Sequence, residues 1–212
     1  MNLIELLNRL ALGGGDWVIY LLLITSVVSV YIIGERYFYY WVISGRATVI
    51  QKILSDGLNN GDVAGVREKL RRYNCPEARM LAMGLSAEAR GSANVAERMQ
   101  SQLIKEKAAM DSGLAVLGTV GSNAPFVGLF GTVLGVIKAF HELSLQGNGS
   151  GNTVMSGISQ ALIATAVGIL VAIPALVAYN YFKNRQKSAV ATLESLMHLA
   201  LSYLKLSPQN PS

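Results

Sequence analysis

The sequence has 212 residues, 51% of them apolar and only 15% charged, with a net charge of +5 and a mean hydropathy of +0.38. A soluble domain carries roughly a quarter charged residues, so the composition argues against an ordinary soluble protein. One cysteine and two histidines leave no disulfide framework and no metal-ligand cluster,. The charge deficit is local. Residues 17–34, 113–137 and 157–182 contain no Asp, Glu, Lys or Arg. Each run meets the ~17–25 residues that a helix needs to cross a bilayer. The reading is an all-α membrane protein with three transmembrane helices and long cytoplasmic helical extensions.

In chain order, residues 1–15 place Leu3, Leu6, Leu7 and Leu10 at helical spacing. Glu5 and Arg9 interrupt the apolar run, which fits an amphipathic helix at the interface better than a signal peptide,. Gly13 to Gly15 would end it, and Asp16 would cap the next helix,. The first transmembrane helix is assigned to 16–40 and a cytoplasmic helical region to 41–112. Within that region, 64–72, 75–90 and 93–110 show helical apolar spacing, with breaks near 59–61 and 73–76,. No proline lies between Glu77 and Ala124, so the second span is expected to run as one helix from about Ala93. The second transmembrane helix covers 113–140, and a periplasmic loop covers 141–155. That loop contains a formal glycosylation sequon at Asn148, read as coincidence. The third transmembrane helix covers 156–182, and a cytoplasmic helix and tail cover 183–212. Lys and Arg set the orientation: twelve lie in 35–112 and four after 182, against Arg9 before the first span and Lys138 in the second connection. Cationic segments stay inside. The N-terminus is therefore placed in the periplasm and the C-terminus in the cytoplasm, and the net positive charge needs no nucleic-acid partner.

The second span carries a stripe of small residues at alternating spacings of three and four: Gly118, Gly121, Pro125, Gly128, Thr132, Gly135 and Ala139,. Gly131 is grouped with these packing residues. The third span answers with Gly157, Ala161, Ala164, Gly168, Ala172 and Ala175. Small faces let membrane helices approach closely, within a subunit or between subunits. Polar residues on the spans need partners, because lipid supplies none. A threonine can bond the carbonyl one turn back. Gln160 has two donors and an acceptor; it faces either a wet lumen or a partner across a helix interface. None of the charge-free runs holds a carboxylate or a histidine. A chain that moves protons alone needs a titratable group there, so either it conducts none or a partner supplies the acid.

The segments SNAPFVGLFGTVLGVIKAF (122–140) and SGISQALIATAVGILVAIPALVAYN (156–180) resemble the paired signature of the MotA/TolQ/ExbB proton-channel family, nearest its ExbB and TolQ branches. The IGER turn at 33–36 and the run GLAVLGTVGSNAPF also fit. The resemblance implies a homo-oligomer, a pentameric ring, around a dimer of a single-span ExbD-like or TolR-like partner whose membrane aspartate carries the proton. A TonB-like or TolA-like third component would receive the work. It further implies a multi-pass protein of the bacterial inner membrane with no cofactor. Thr132 in GLFGTV and Thr165 in ALIATAVG match the family's pore threonines, and Pro125 and Pro174 match its prolines. One position departs: the family commonly has glutamate where this chain has Gln160, which cannot titrate.

Rival readings are a non-conducting membrane scaffold and the membrane subunit of an ATP-driven transporter. The chain has no GxxxxGK[ST] phosphate loop,. An intramembrane enzyme lacks a site, because His141 and His198 lie outside the spans and Cys75 has no base beside it in sequence.

Overall fold

In a computed structural model of the protein, residues 15–43, 46–86, 92–145 and 151–206 are described. The interfacial helix expected at 1–15 lies outside these residues apart from Gly15, as does the sequon at Asn148. The described residues form seven helices and no strand: α1 (Asp16–Ile43), α2 (Ala47–Asn59), α3 (Val63–Arg71), α4 (Pro76–Gly84), α5 (Ser92–Asp111), α6 (Leu114–Leu145) and α7 (Gly151–Leu206). Three of the helical stretches are long and apolar enough to cross a membrane. The chain divides into two compact units, Met1–Glu35 with Gly113–Tyr181, and Arg36–Ser112 with Phe182–Ser212.

The first unit is built from the apolar parts of α1, α6 and α7. Val18 and Leu22 of α1 pack with Ala124 and Leu134 of α6 and with Val171 and Ala172 of α7. Large apolar side chains point outward on every helix, among them Ile24, Val27, Phe126, Leu129, Leu170 and Val177. Such a surface would aggregate in water and is solvated by acyl chains. Several hydroxyl side chains turn back on their own helix. Ser29, Thr119 and Ser122 donate to the carbonyls of Thr25, Ala115 and Gly118 at 2.8 Å. This satisfies each hydroxyl without a partner helix.

The second unit has the inward apolar packing of a water-facing domain. Ile50 and Leu54 of α2, Val66 and Leu70 of α3, Met80 and Leu81 of α4, Met99 and Leu103 of α5, and Leu193 and Leu196 of α7 are all buried in one cluster. Local signals set its helix boundaries. Gly61 has a φ of 70°, which glycine adopts without strain. Asp62 caps α3 by accepting from the Gly65 amide at 2.8 Å,. Pro76 opens α4 at a position where its missing N–H costs nothing,. Cys75, just before it, is fully buried. Burial, the largest influence, pushes its thiol up to about 11, so it is an unreactive core residue. Arg79 grips Glu106 in a forked pair, Nε to Oε1 at 2.8 Å and Nη2 to Oε2 at 2.6 Å. Gln102 adds a third donor to the same carboxylate at 2.7 Å. Burial pushes the Glu106 carboxyl up, but these bonds outweigh it and hold the group below the ordinary carboxylate range,.

Two expectations are corrected. The helix from Ala93 does not run unbroken into the second span: α5 ends at Asp111 and α6 begins at Leu114. Gly113 between them has a φ of 73°, so a glycine breaks the helix where only a proline was sought. The helix expected over 75–90 ends at Gly84, and Leu85 closes it through its N–H to the Leu81 carbonyl at 2.9 Å. The helix α2 had no counterpart in the expected segments.

Candidate functional site

The small residues of α6 and α7 bring the two backbones into contact. A Cβ at Gly128 would lie 2.7 Å from the Ala164 carbonyl oxygen, and one at Gly168 would lie 2.6 Å from the Ala124 carbonyl oxygen. At Gly135 it would meet the Ala161 Cβ at 2.7 Å, and at Gly157 the Ala139 Cβ at 2.6 Å. Gly121 faces Leu176, and Gly118 faces the Tyr179 ring. The two stripes therefore meet inside one chain. Gly131 is shared with α1: its added Cβ would touch both Ala164 and Val18. Pro125 is half-buried and Pro174 exposed, and α6 and α7 run through them unbroken.

Close approach at this seam brings Thr132 and Thr165 together. Their hydroxyls are hydrogen-bonded to each other, and either can donate. Thr132 Oγ1 also lies 3.3 Å from the Gly128 carbonyl and 3.2 Å from the Ala161 carbonyl. Each hydroxyl both donates and accepts, so the pair can pass a hydrogen bond from one helix to the other.

Gln160 does not join the threonines. Its Nε2 donates to Asp16 Oδ1 at the start of α1, at 2.7 Å. The pair lines a cavity of about 430 Å3 together with Lys138 and Glu142 of α6 and Ser156 of α7. Sequence reading treated Asp16 only as a possible cap and gave Lys138 and Glu142 no role at a site. A signal was available: all three lie at the ends of the charge-free runs, and antiparallel spans bring such ends level. Among the described residues, no group of three or more His, Cys, Asp or Glu is placed to hold a metal.

The Tol-Pal system protein TolQ of Pseudomonas aeruginosa is 43% identical over 96 residues, 45% of this chain and 42% of TolQ. The biopolymer transport protein ExbB of Pseudomonas putida is 45% identical over 141 residues, 65% of this chain and 43% of that protein. The ExbB of Neisseria gonorrhoeae is 34% identical over 131 residues, 62% of this chain and 58% of that protein. The chain thus spans less than half the length of the two Pseudomonas relatives. The sequence model of the MotA/TolQ/ExbB proton channel family matches residues 72–195, a stretch that holds both glycine stripes and both threonines. With three membrane-capable helices and this match across α6 and the apolar part of α7, the chain belongs to the MotA/TolQ/ExbB proton channel family, on its ExbB/TolQ branch.

Proposed function

We propose that this chain is the ring-forming subunit of a proton-motive-force-driven motor in the bacterial inner membrane. It works with a single-span partner of the ExbD/TolR kind to energise an envelope process such as TonB-dependent uptake or Tol-type function. The observation that carries this reading is the Thr132–Thr165 hydroxyl pair, set in a helix seam whose apolar spans hold no carboxylate. Such a seam can relay or solvate a proton but cannot hold one. The reading therefore assigns the proton-holding acid to an aspartate on the partner helix, inside a pentameric ring with Thr132, Thr165 and Gln160 along the pathway. The chain is an energy transducer and not an enzyme. Its proposed orientation puts the N-terminus and residues 141–155 in the periplasm, and residues 41–112 and 183–212 in the cytoplasm. The relatives' names support the class of process; they do not choose between uptake and Tol-type work.

The test is proton flux in liposomes containing this chain alone, then with a single-span partner of the ExbD/TolR kind. Flux only with the partner, abolished when the partner's membrane aspartate becomes asparagine, supports the motor. An assembled complex without flux favours a non-conducting scaffold.

A further inference from the structure

The membrane-spanning unit holds a polar cavity of which the proposed motor uses only Gln160. The 430 Å3 cavity is lined by the polar side chains of Asp16, Lys138, Glu142 and Gln160 and by small residues that include Gly131, Ala161 and Ala164. A single water needs only ~10–15 Å3 of such space, provided that polar partners line it. The polar lining meets this condition. The small lining residues neighbour the threonine pair: Gly131 and Ala164 immediately precede Thr132 and Thr165, and the Ala161 carbonyl lies 3.2 Å from Thr132 Oγ1. The cavity thus reaches the small residues that flank the hydroxyl pair along α6 and α7. Of the charged groups that line the cavity with Asp16, Lys138 and Glu142 come from α6; α7 presents the neutral Ser156 and Gln160.

Taking the motor reading as its basis, we infer that this cavity is an aqueous proton vestibule inside each subunit, with Asp16 as the group that loads it. The Asp16 carboxylate takes a proton from a hydronium ion in the bulk water and releases it to the next water in the cavity. The carboxylate is then restored, and the proton passes on to the threonine pair. Gln160 positions Asp16: its amide fixes one carboxylate oxygen and leaves the acid, not the amide, to change protonation state.

Two measurements on the full-length chain test this. In liposomes, Ile19→Cys lines the cavity one turn beyond Asp16, whereas Ile24→Cys faces outward. A small cationic methanethiosulfonate should modify Ile19→Cys and spare Ile24→Cys, with the wild-type chain as blank because Cys75 is buried. In the partner complex, Asp16→Asn keeps the side-chain size and a hydrogen bond to Gln160. It should cut proton flux roughly tenfold or more, without loss of assembly. The exchange Asp16→Asn with Gln160→Glu returns a carboxylate to the cavity and should restore most of the flux. An unreactive Ile19→Cys overturns the vestibule. Wild-type flux in assembled Asp16→Asn overturns the role of Asp16, as does an exchange variant that assembles and stays inactive. If even the wild-type complex carries no flux, the motor reading fails, and cysteine labelling alone still decides whether the cavity is wet.

Discussion

Thr132 and Thr165 are the residues on which the proposed function rests most directly, and their chemistry is easy to remove. Valine matches threonine in shape and lacks the hydroxyl. Thr132→Val and Thr165→Val should each leave the helix seam assembled, as judged by size-exclusion chromatography, and lower proton flux in the partner complex by about tenfold or more. Full activity in both variants would remove the threonines from the pathway. The Arg79–Glu106 pair makes a separate prediction for stability. Glu106 sits below its ordinary carboxylate value in the folded chain. It therefore contributes stability above the unfolded value of ~4.3, and that contribution is lost as pH falls through the lowered folded value. Glu106→Gln should lower the melting temperature near neutral pH and matter less at about pH 3. Its cost should be only about 1–2 kcal/mol, because the Arg79 side chain is 41% exposed and can turn to water. A melting-temperature gap between variant and wild type that is the same at both pH values would exclude this linkage. At this scale the sequence announced the threonines and the amide of Gln160. It hid the partner of Gln160, because a hydrogen bond spanning 144 positions has no local signature.

The helix pair α6–α7 is legible for a different reason. Small residues every three and four positions define one face wherever the helix goes, and the alternating spacing from Gly118 to Gly135 needs no coordinates to be seen. In lipid the hydrophobic effect supplies no pairing force, so close backbone packing carries the association. Gly128→Leu should accordingly disrupt the subunit itself, since even a Cβ there would lie 2.7 Å from the Ala164 carbonyl. The expected cost is about 3 kcal/mol or more, read as loss of folded protein in detergent by near-ultraviolet circular dichroism. Gly34→Ala is the control. Nothing lies within 4 Å of its added Cβ, so it should be neutral or stabilise by up to about 1 kcal/mol. A well-folded Gly128→Leu chain would refute the packing argument. Boundaries were less legible than faces. Gly113 stops a helix by adopting positive φ, yet glycines at Gly118, Gly121 and Gly128 are helical. The residue type is the same, and only the tertiary setting separates these roles. The helix α2 was missed although Ile50, Ile53 and Leu54 carry its apolar face; thirteen residues give a short run to read beside a dominant membrane span.

At the scale of the whole molecule, the proposed orientation is the claim most open to direct test. Met155 and Met83 are exposed in the two regions assigned to opposite sides of the membrane. In intact cells an impermeant maleimide should label Met155→Cys, while Met83→Cys should react only after permeabilisation. The opposite pattern would invert the topology and move the charged cavity to the cytoplasmic side. Buried Cys75 provides a silent background.

The three apolar spans, membrane character and family were determined by the sequence alone, because each rests on composition or on residues close together along the chain. Charge-free runs of spanning length can be counted, and the GLFGTV and ALIATAVG motifs are contiguous. Tertiary structure decided that the two small-residue stripes meet within one chain, that Gln160 meets Asp16, and that both line a polar cavity. These features depend on the rotation and relative depth of three helices. Both are set by how side chains interlock across the interfaces, a property of the packed bundle that no single segment contains.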